Sequence, residues 1–152
     1  MRALAVTIAT VGGLGHAPWA PGTWASLAAV PLVPALGWLH ARSLVAHAAI
    51  VIAVIAVAVW AAGRAEACFA EHDAGCVVVD EVSGMLVGSL FVPATWLAAL
   101  LLFVLFRLFD IWKPYPANVI DRGWSGGVGV VGDDLVAGLY AGLAARAVLG
   151  LM

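Results

Sequence analysis

The chain has 152 residues, of which 64% are hydrophobic and 11% are charged, and its mean hydropathy is +1.08. Soluble domains rarely have this composition, and the length suits one compact domain, residues 1–152, rather than a membrane anchor joined to a separate catalytic domain. The net charge of −2 and the absence of a basic run argue against nucleic acid as a partner.

The first long apolar segment follows a stretch rich in glycine and proline. The N-terminal twenty residues resemble a weak signal peptide, but the sequence after them looks functional, and we expect the segment to be retained. Thr23 is the expected N-cap of the first apolar helix. Pro31 and Pro34 should kink that helix.

The second apolar segment, Leu44 to Gly63, is the clearest candidate for a membrane-spanning helix, because about 20 apolar residues cross the hydrocarbon of a bilayer. His47 lies inside this segment. A single histidine in such a place is usually a neutral interior group with hydrogen-bond partners, so we leave it out of the candidate site.

The third apolar segment, Val82 to Leu105, contains Pro93 and therefore allows two topologies. A single crossing would place Asp80 and Asp110 on opposite membrane faces. A turn near Pro93 would instead give a helix of about 12 residues and a returning helix of about 17, which span roughly 18 and 25 Å. We favour this hairpin, which returns Asp110 to the side of Asp80.

The last apolar segment carries Gly138 and Gly142, and this G-x-x-x-G spacing favours close helix packing. Seven Trp residues in the chain suit a bilayer interface. These features predict an all-α fold, a helical bundle embedded in a membrane with an active site at the interface.

With the hairpin, one face of the bundle holds residues 20–23, 64–81 and 107–134. The tendency of basic residues to stay on the inner side of a membrane marks this face as cytoplasmic. Five of the seven basic residues lie there: Arg2, Arg64, Arg107, Lys113 and Arg122.

Carboxylates are concentrated on the same face. A charged group at the bilayer centre costs about 2.5–3.5 kcal/mol even on a lenient scale, so acidic residues in such a chain tend to be functional. All nine fall within these ranges, and seven of them lie near the ends of apolar segments: Asp73, Asp80, Glu81, Asp110, Asp121, Asp133 and Asp134. We interpret Asp121, together with Glu66 and Glu71, as a solvated charge.

The adjacent pairs Asp80–Glu81 and Asp133–Asp134 are harder to explain as solvated charges, because neighbouring carboxylates repel each other unless a cation lies between them. Oxygen ligands without a Cys or His cluster select a hard ion, and Mg²⁺ is commonly held by few carboxylates while it shares phosphate oxygens. We therefore predict that these four residues bind Mg²⁺.

Groups that bind anions accompany the carboxylates. Arg107 and Lys113 flank Asp110 at three-residue steps, near one side of a helix that Pro114 should end. Two glycine-rich turns, residues 126–134 and the sequence APGT, can expose backbone N–H groups to an anion. We predict that phosphate is bound by both basic side chains and by the second turn, through Gly22 and Thr23.

Four motifs occur together in one order: GLGHAPWAPGTWASL, DAGCVVVDEVSG, FRLFDIWKPYPANVID and SGGVGVVGDDLVAG. In these motifs the chain resembles the phosphatidylglycerophosphatase A family of bacterial membrane lipid phosphatases. The resemblance implies an Mg²⁺-dependent enzyme of the inner membrane, acting in phospholipid biosynthesis. It would remove the terminal phosphate of phosphatidylglycerophosphate and leave phosphatidylglycerol. Trp19 and Ala25 depart from the family pattern, which expects a basic residue and Gly there.

The predicted catalytic residues are the four metal ligands and Asp110, which would orient the two basic residues or join the metal. Either a water on the metal or a carboxylate could attack the phosphate, and the sequence leaves both routes and the oligomeric state open.

Two alternatives belong to other classes. A CDP-alcohol phosphatidyltransferase should carry D-G-x-x-A-R and G-x-x-x-D-x-x-x-D patterns, which this chain lacks. A small ion- or proton-coupled transporter should carry carboxylates deep in its helices, whereas here they are expected near helix ends.

Overall fold

The computed structural model describes residues 2–69 and 74–151, and in this part of the chain all regular structure is helical. The predicted all-α class is confirmed. Glu71 and Asp73 lie outside the described residues. The elements in chain order are α1 (Arg2–Ala9), a 3₁₀ turn (Leu14–His16), α2 (Pro21–Ala29), α3 (Leu32–His40), α4 (Leu44–Phe69), α5 (Val79–Ser89), α6 (Trp96–Trp112), α7 (Ala117–Gly123) and α8 (Gly126–Gly150).

Within the described residues, three stretches are long and apolar enough to cross a membrane: Pro21–His40, Leu44–Phe69 and Gly126–Gly150. The second continues six residues beyond Gly63, its predicted end. At 1.5 Å per residue, the 26 residues of α4 extend about 39 Å, more than the hydrocarbon core of a bilayer.

The prediction that Thr23 caps the first helix is wrong. Helix α2 begins at Pro21, with Ala20 as the N-cap in the left-handed conformation, so Thr23 lies in the first turn. Proline suits the first helical position because its φ is already helical and the N–H that it lacks would have no partner there. The predicted interruption is confirmed at Pro31, since α2 ends at Ala29 and α3 follows, whereas Pro34 lies in the first turn of α3 and does not interrupt it.

The hairpin at Pro93 is confirmed, and a single crossing of residues 82–105 is wrong. Helix α5 has 11 residues and α6 has 17, close to the expected lengths. Pro93 lies in the connection, and the Thr95 side chain caps α6 by accepting a hydrogen bond of 3.2 Å from the Ala98 N–H. The start of α5 and the end of α6 therefore lie at the same end of the bundle.

Helix α8 packs against α5 through glycines on both helices, as the G-x-x-x-G spacing predicted. A Cβ on Gly138 would overlap the carbonyl oxygen of Gly84, and a Cβ on Gly142 would lie 2.8 Å from that of Gly88. Because none of these residues has a side chain, the two backbones approach closely.

Residues 126–134 do not form the predicted glycine-rich turn, because α8 already begins at Gly126. Its glycines serve helix packing, since a Cβ on Gly127 would overlap the carbonyl oxygen of Val59 on α4. Asp133 and Asp134 consequently lie about two turns inside α8 rather than at a helix end. The argument from position against a transporter therefore fails for these two residues.

Candidate active site

A cleft of about 180 Å³ opens where the starts of α2 and α5, the end of α6, α7 and the first turns of α8 meet. It lies at the end of the bundle to which the α5–α6 hairpin returns the chain. Six carboxylates line it: Asp80, Glu81, Asp110, Asp121, Asp133 and Asp134. The concentration of acidic groups from four helices at one end agrees with the sequence analysis.

Three of these carboxylates form a compact cluster at the cleft. Asp80, Glu81 and Asp134 each offer an oxygen, and the three oxygens lie within 4.8 Å of one another. The first two stand in the first turn of α5, and the glycine contact between α5 and α8 brings the third beside them. Asp80 is only 7% exposed and Asp134 only 4%.

Part of this cluster has no hydrogen-bond partner. The buried oxygens Oε2 of Glu81 and Oδ2 of Asp134 are unsatisfied, whereas Oδ1 of Asp80 accepts a hydrogen bond of 3.0 Å from the Glu81 backbone N–H. Burying a carboxylate without a partner is costly, and three close together also repel. A cation between them would remove both penalties.

Arg107 contacts the cluster from α6. Its NH1 atom lies 2.6 Å from Oδ2 of Asp110, one turn further along the helix, and 3.8 Å from Oε1 of Glu81. Both Nε and NH1 of Arg107 are buried without a hydrogen-bond partner, so the two NH1 contacts are ion pairs that lack hydrogen-bond geometry. The Arg107 guanidinium therefore links α6 to α5 and still has N–H groups that can donate a hydrogen bond to another acceptor.

Lys113 joins the other carboxylates. It is the C-cap of α6, in the left-handed conformation, and its ammonium lies 2.6 Å from Oδ2 of Asp133 and also contacts Asp121. Burial alone would lower the pKa of Lys113, but the hydrogen bonds and charges of the two aspartates raise it above its ordinary value. The ammonium therefore stays protonated.

The four predicted metal ligands are thus not all brought together. Asp133 points to Lys113, and the cluster contains only its neighbour Asp134. Asp121, interpreted from sequence as a solvated charge, lines the cleft and holds Lys113. Its position eight residues after Lys113, across a proline-rich turn, carried no periodic signal that could have indicated this.

Of the two predicted residues in the APGT turn, only Gly22 lines the cleft. A Cβ on Gly22 would overlap Oε1 of Glu81 and lie 3.3 Å from NH1 of Arg107. Thr23 is half-buried and is not among the cleft-lining residues. Gly22 thus leaves room for the Glu81 carboxylate at the start of α2.

Replacing Gly22 by Ala should lower enzymatic activity about 10- to 100-fold, because the new methyl group displaces the Glu81 carboxylate from the cluster. The unfolding temperature in detergent should change little, since the obstructing atom is the end of a side chain. Gly75→Ala is the matched control, because Gly75 lines the same cleft and a Cβ there meets no atom within 4 Å. Equal activity in the two variants would contradict this role for Gly22.

The cleft contains the carboxylate cluster and is lined by one cationic side chain, Lys113. Arg107 is not among the cleft-lining residues but contacts two of them, Glu81 and Asp110. Six carboxylates against one ammonium and one guanidinium would repel a phosphate dianion, so an anionic substrate needs an additional cation. Oxygen-only donors suit Mg²⁺, which commonly shares its coordination with phosphate. The arrangement is suited to the chemistry of a phosphate ester.

Comparisons with known proteins agree with this chemistry. The family model described as Phosphatidylglycerophosphatase A matches residues 7–149. Phosphatidylglycerophosphatase A of Escherichia coli is 36% identical over 135 residues, which cover 85% of this chain and 74% of the relative. The Haemophilus influenzae protein of the same name is 34% identical over 124 residues, which cover 80% of this chain and 74% of the relative.

A third relative carries a different name. A Bacteroides thetaiotaomicron protein provisionally named phosphatidylinositol-3-phosphatase is 38% identical over 143 residues, 91% of this chain and 89% of the relative. No solved structure is significantly similar to the chain.

Proposed function

The chain belongs to the phosphatidylglycerophosphatase A family and is a phosphatase, and from this premise we propose that it hydrolyses the terminal phosphate of phosphatidylglycerophosphate to give phosphatidylglycerol, with Mg²⁺ as cofactor. The observation that carries the proposal is the carboxylate cluster of Asp80, Glu81 and Asp134, which holds two buried unsatisfied oxygens and contacts Arg107 through Glu81. The names of the relatives support neither a phosphatidyltransferase nor a transporter.

The residues of the cluster fit a magnesium ion. They offer three oxygen donors close together, and one oxygen on Glu81 and one on Asp134 have no hydrogen-bond partner. When bound, Mg²⁺ would neutralise phosphate charge and supply Lewis-acid activation. Asp80, Glu81 and Asp134 would hold it, whereas Asp133 would stay with Lys113.

The other side chains have separate roles in this proposal. Arg107 and Lys113 bind phosphate oxygens and stabilise the charge that develops during hydrolysis. Asp110 orients Arg107 across 2.6 Å, and Asp121 and Asp133 orient Lys113. A cluster carboxylate either accepts the proton of the attacking water or attacks phosphorus itself.

We place the protein in the bacterial inner membrane, with the cleft on the cytoplasmic face and the acyl chains of the substrate in the bilayer. Three stretches long enough to cross a membrane support the embedding. The basic residues near the cleft, including Arg64, Arg107 and Lys113, support the orientation.

The detergent-purified protein should release phosphate from phosphatidylglycerophosphate, and a chelator should lower the rate at least about tenfold. Added Mg²⁺ should restore the activity, because it reoccupies the carboxylate cluster. Phosphatidylinositol 3-phosphate is the comparison substrate, in view of the Bacteroides relative. Phosphate release would be measured for each lipid with and without the metal.

Two outcomes would oppose parts of the proposal. Release that persists undiminished in chelator would remove Mg²⁺ from it. Preferred release from phosphatidylinositol 3-phosphate would replace the substrate while keeping the phosphatase.

A further inference from the structure

A second hollow, of about 420 Å³, lies at the opposite end of the bundle from the acidic cleft. It is bounded by the end of α3, the turn between α5 and α6, and the end of α8. Its walls combine His40 and Arg146 with apolar side chains, among them Leu90, Phe91, Val92 and Leu149. Arg146 lies 12 residues after Asp134 on α8, which corresponds to about 18 Å along the helix axis. The two sites are therefore separate.

The segments that form this end, residues 31–50, 83–100 and 139–151, contain no Asp or Glu. Arg146 is exposed, and its NH1 atom lies 3.5 Å from the carbonyl oxygen of Phe91. Arg42 is exposed at the same end, with its guanidinium carbon 3.3 Å from the centre of the Trp38 ring. A guanidinium at this hollow thus meets no competing carboxylate from these segments, and an anion would be attracted to it.

A chain of buried hydrogen bonds positions His40, the second polar residue of the hollow. The Ser89 hydroxyl donates to the carbonyl oxygen of Leu86 at 2.6 Å, so the Nε2–H of His47 must donate to the Ser89 oxygen, 3.0 Å away. Nδ1 of an uncharged His47 then accepts from Nδ1–H of His40 at 3.2 Å. His47 is fully buried, so the expectation of a hydrogen-bonded interior histidine is confirmed, and it holds the His40 ring in place.

We propose that this hollow binds the head group of an anionic phospholipid in the leaflet opposite the acidic cleft. Arg146 contacts the lipid phosphate, for which a guanidinium is well suited, and His40 provides a second polar contact. The apolar walls receive the glycerol and the first carbons of the acyl chains. The proposal rests on the membrane embedding proposed above and not on the phosphatase chemistry.

Binding of phosphatidylglycerol to the purified full chain in detergent, followed by native mass spectrometry, tests this site. Arg146→Gln should weaken binding about tenfold, because a charged hydrogen-bond donor is lost. His40→Gln should weaken it less. Phosphatidylcholine should bind poorly to the wild type, and inorganic phosphate should not compete at millimolar concentration, because the site requires the whole lipid.

Arg42→Gln is the matched control, since Arg42 lies at the same end but does not line the hollow. It should retain wild-type binding, and Arg146→Lys should restore part of the binding if Arg146→Gln also lowers the unfolding temperature. Equal losses for Arg42→Gln and Arg146→Gln, or undiminished binding by Arg146→Gln, would overturn the proposal. Phosphate release in detergent should stay unchanged in Arg146→Gln, so failure here is distinguishable from failure of the phosphatase assignment.

Discussion

Replacing Asp134 by Asn should lower kcat by at least about 10²- to 10³-fold while leaving the protein folded. The substitution keeps the shape of the side chain but removes one of the three carboxylates that form the candidate cation site. Because that charge is buried beside two others, its loss should leave the metal-free protein as stable as the wild type or more stable. Phosphate release and thermal unfolding in chelator would measure the two effects.

Magnesium binding should distinguish the role of Asp134 from that of Asp133. Wild-type protein should gain unfolding free energy with Mg²⁺, by about 2.7 kcal/mol at a concentration 100 times Kd, and Asp134→Asn should lose this gain. Asp133→Asn should keep the gain but lower the stability, because Asp133 pairs with Lys113. If Asp133→Asn lost the magnesium response and Asp134→Asn kept it, our assignment of the cluster would be wrong.

Replacing Gly138 by Ala should destabilise the protein by about 1–3 kcal/mol or more. The added methyl group would overlap the backbone carbonyl of Gly84, and a backbone atom cannot move aside as a side chain can. Helices α5 and α8 would have to separate, which would also open the carboxylate cluster that they hold together. The loss of stability would be measured by adding increasing amounts of a denaturing detergent to the protein in a mild detergent and following its unfolding.

Two other glycines of α8 provide a graded comparison. Gly142→Ala should be less harmful, since its Cβ would lie 2.8 Å from the Gly88 carbonyl oxygen. Gly150→Ala meets no atom within 4 Å and should be neutral or slightly stabilising, because alanine favours helix over glycine by about 1 kcal/mol in a helix interior and by less near its end. A similar effect of all three substitutions would show that close packing is not the reason for these glycines.

Much of the fold follows from local signals in the sequence. Proline positions indicated both the break between α2 and α3 and the hairpin at Pro93, because proline removes a hydrogen-bond donor wherever it occurs. The prediction of a turn at the glycine-rich residues 126–134 is wrong, because it depended on local propensity alone. Glycine lowers local helix propensity, yet these residues are helical and pack closely against α4, where a Cβ on Gly127 would overlap the carbonyl oxygen of Val59. Such contacts between distant segments are not visible in local sequence.

The site was predictable in composition but not in pairing. Acidic residues at the ends of apolar segments indicated where the cluster would lie. Neighbouring residues on a helix point about 100° apart, so only the packing of α8 decides that Asp134 faces Asp80 while Asp133 faces Lys113. The role of Gly22 likewise depends on a contact with Glu81, far along the chain.

The pairing of both cations with carboxylates has a consequence for turnover. In the proposed function, a phosphate that binds Arg107 or Lys113 would compete with the carboxylates that already pair with them, Asp110 on Arg107 and Asp121 and Asp133 on Lys113. After the ester is cleaved, the same aspartates can reclaim their partners. In the proposed reaction, this competition would favour release of orthophosphate over its retention.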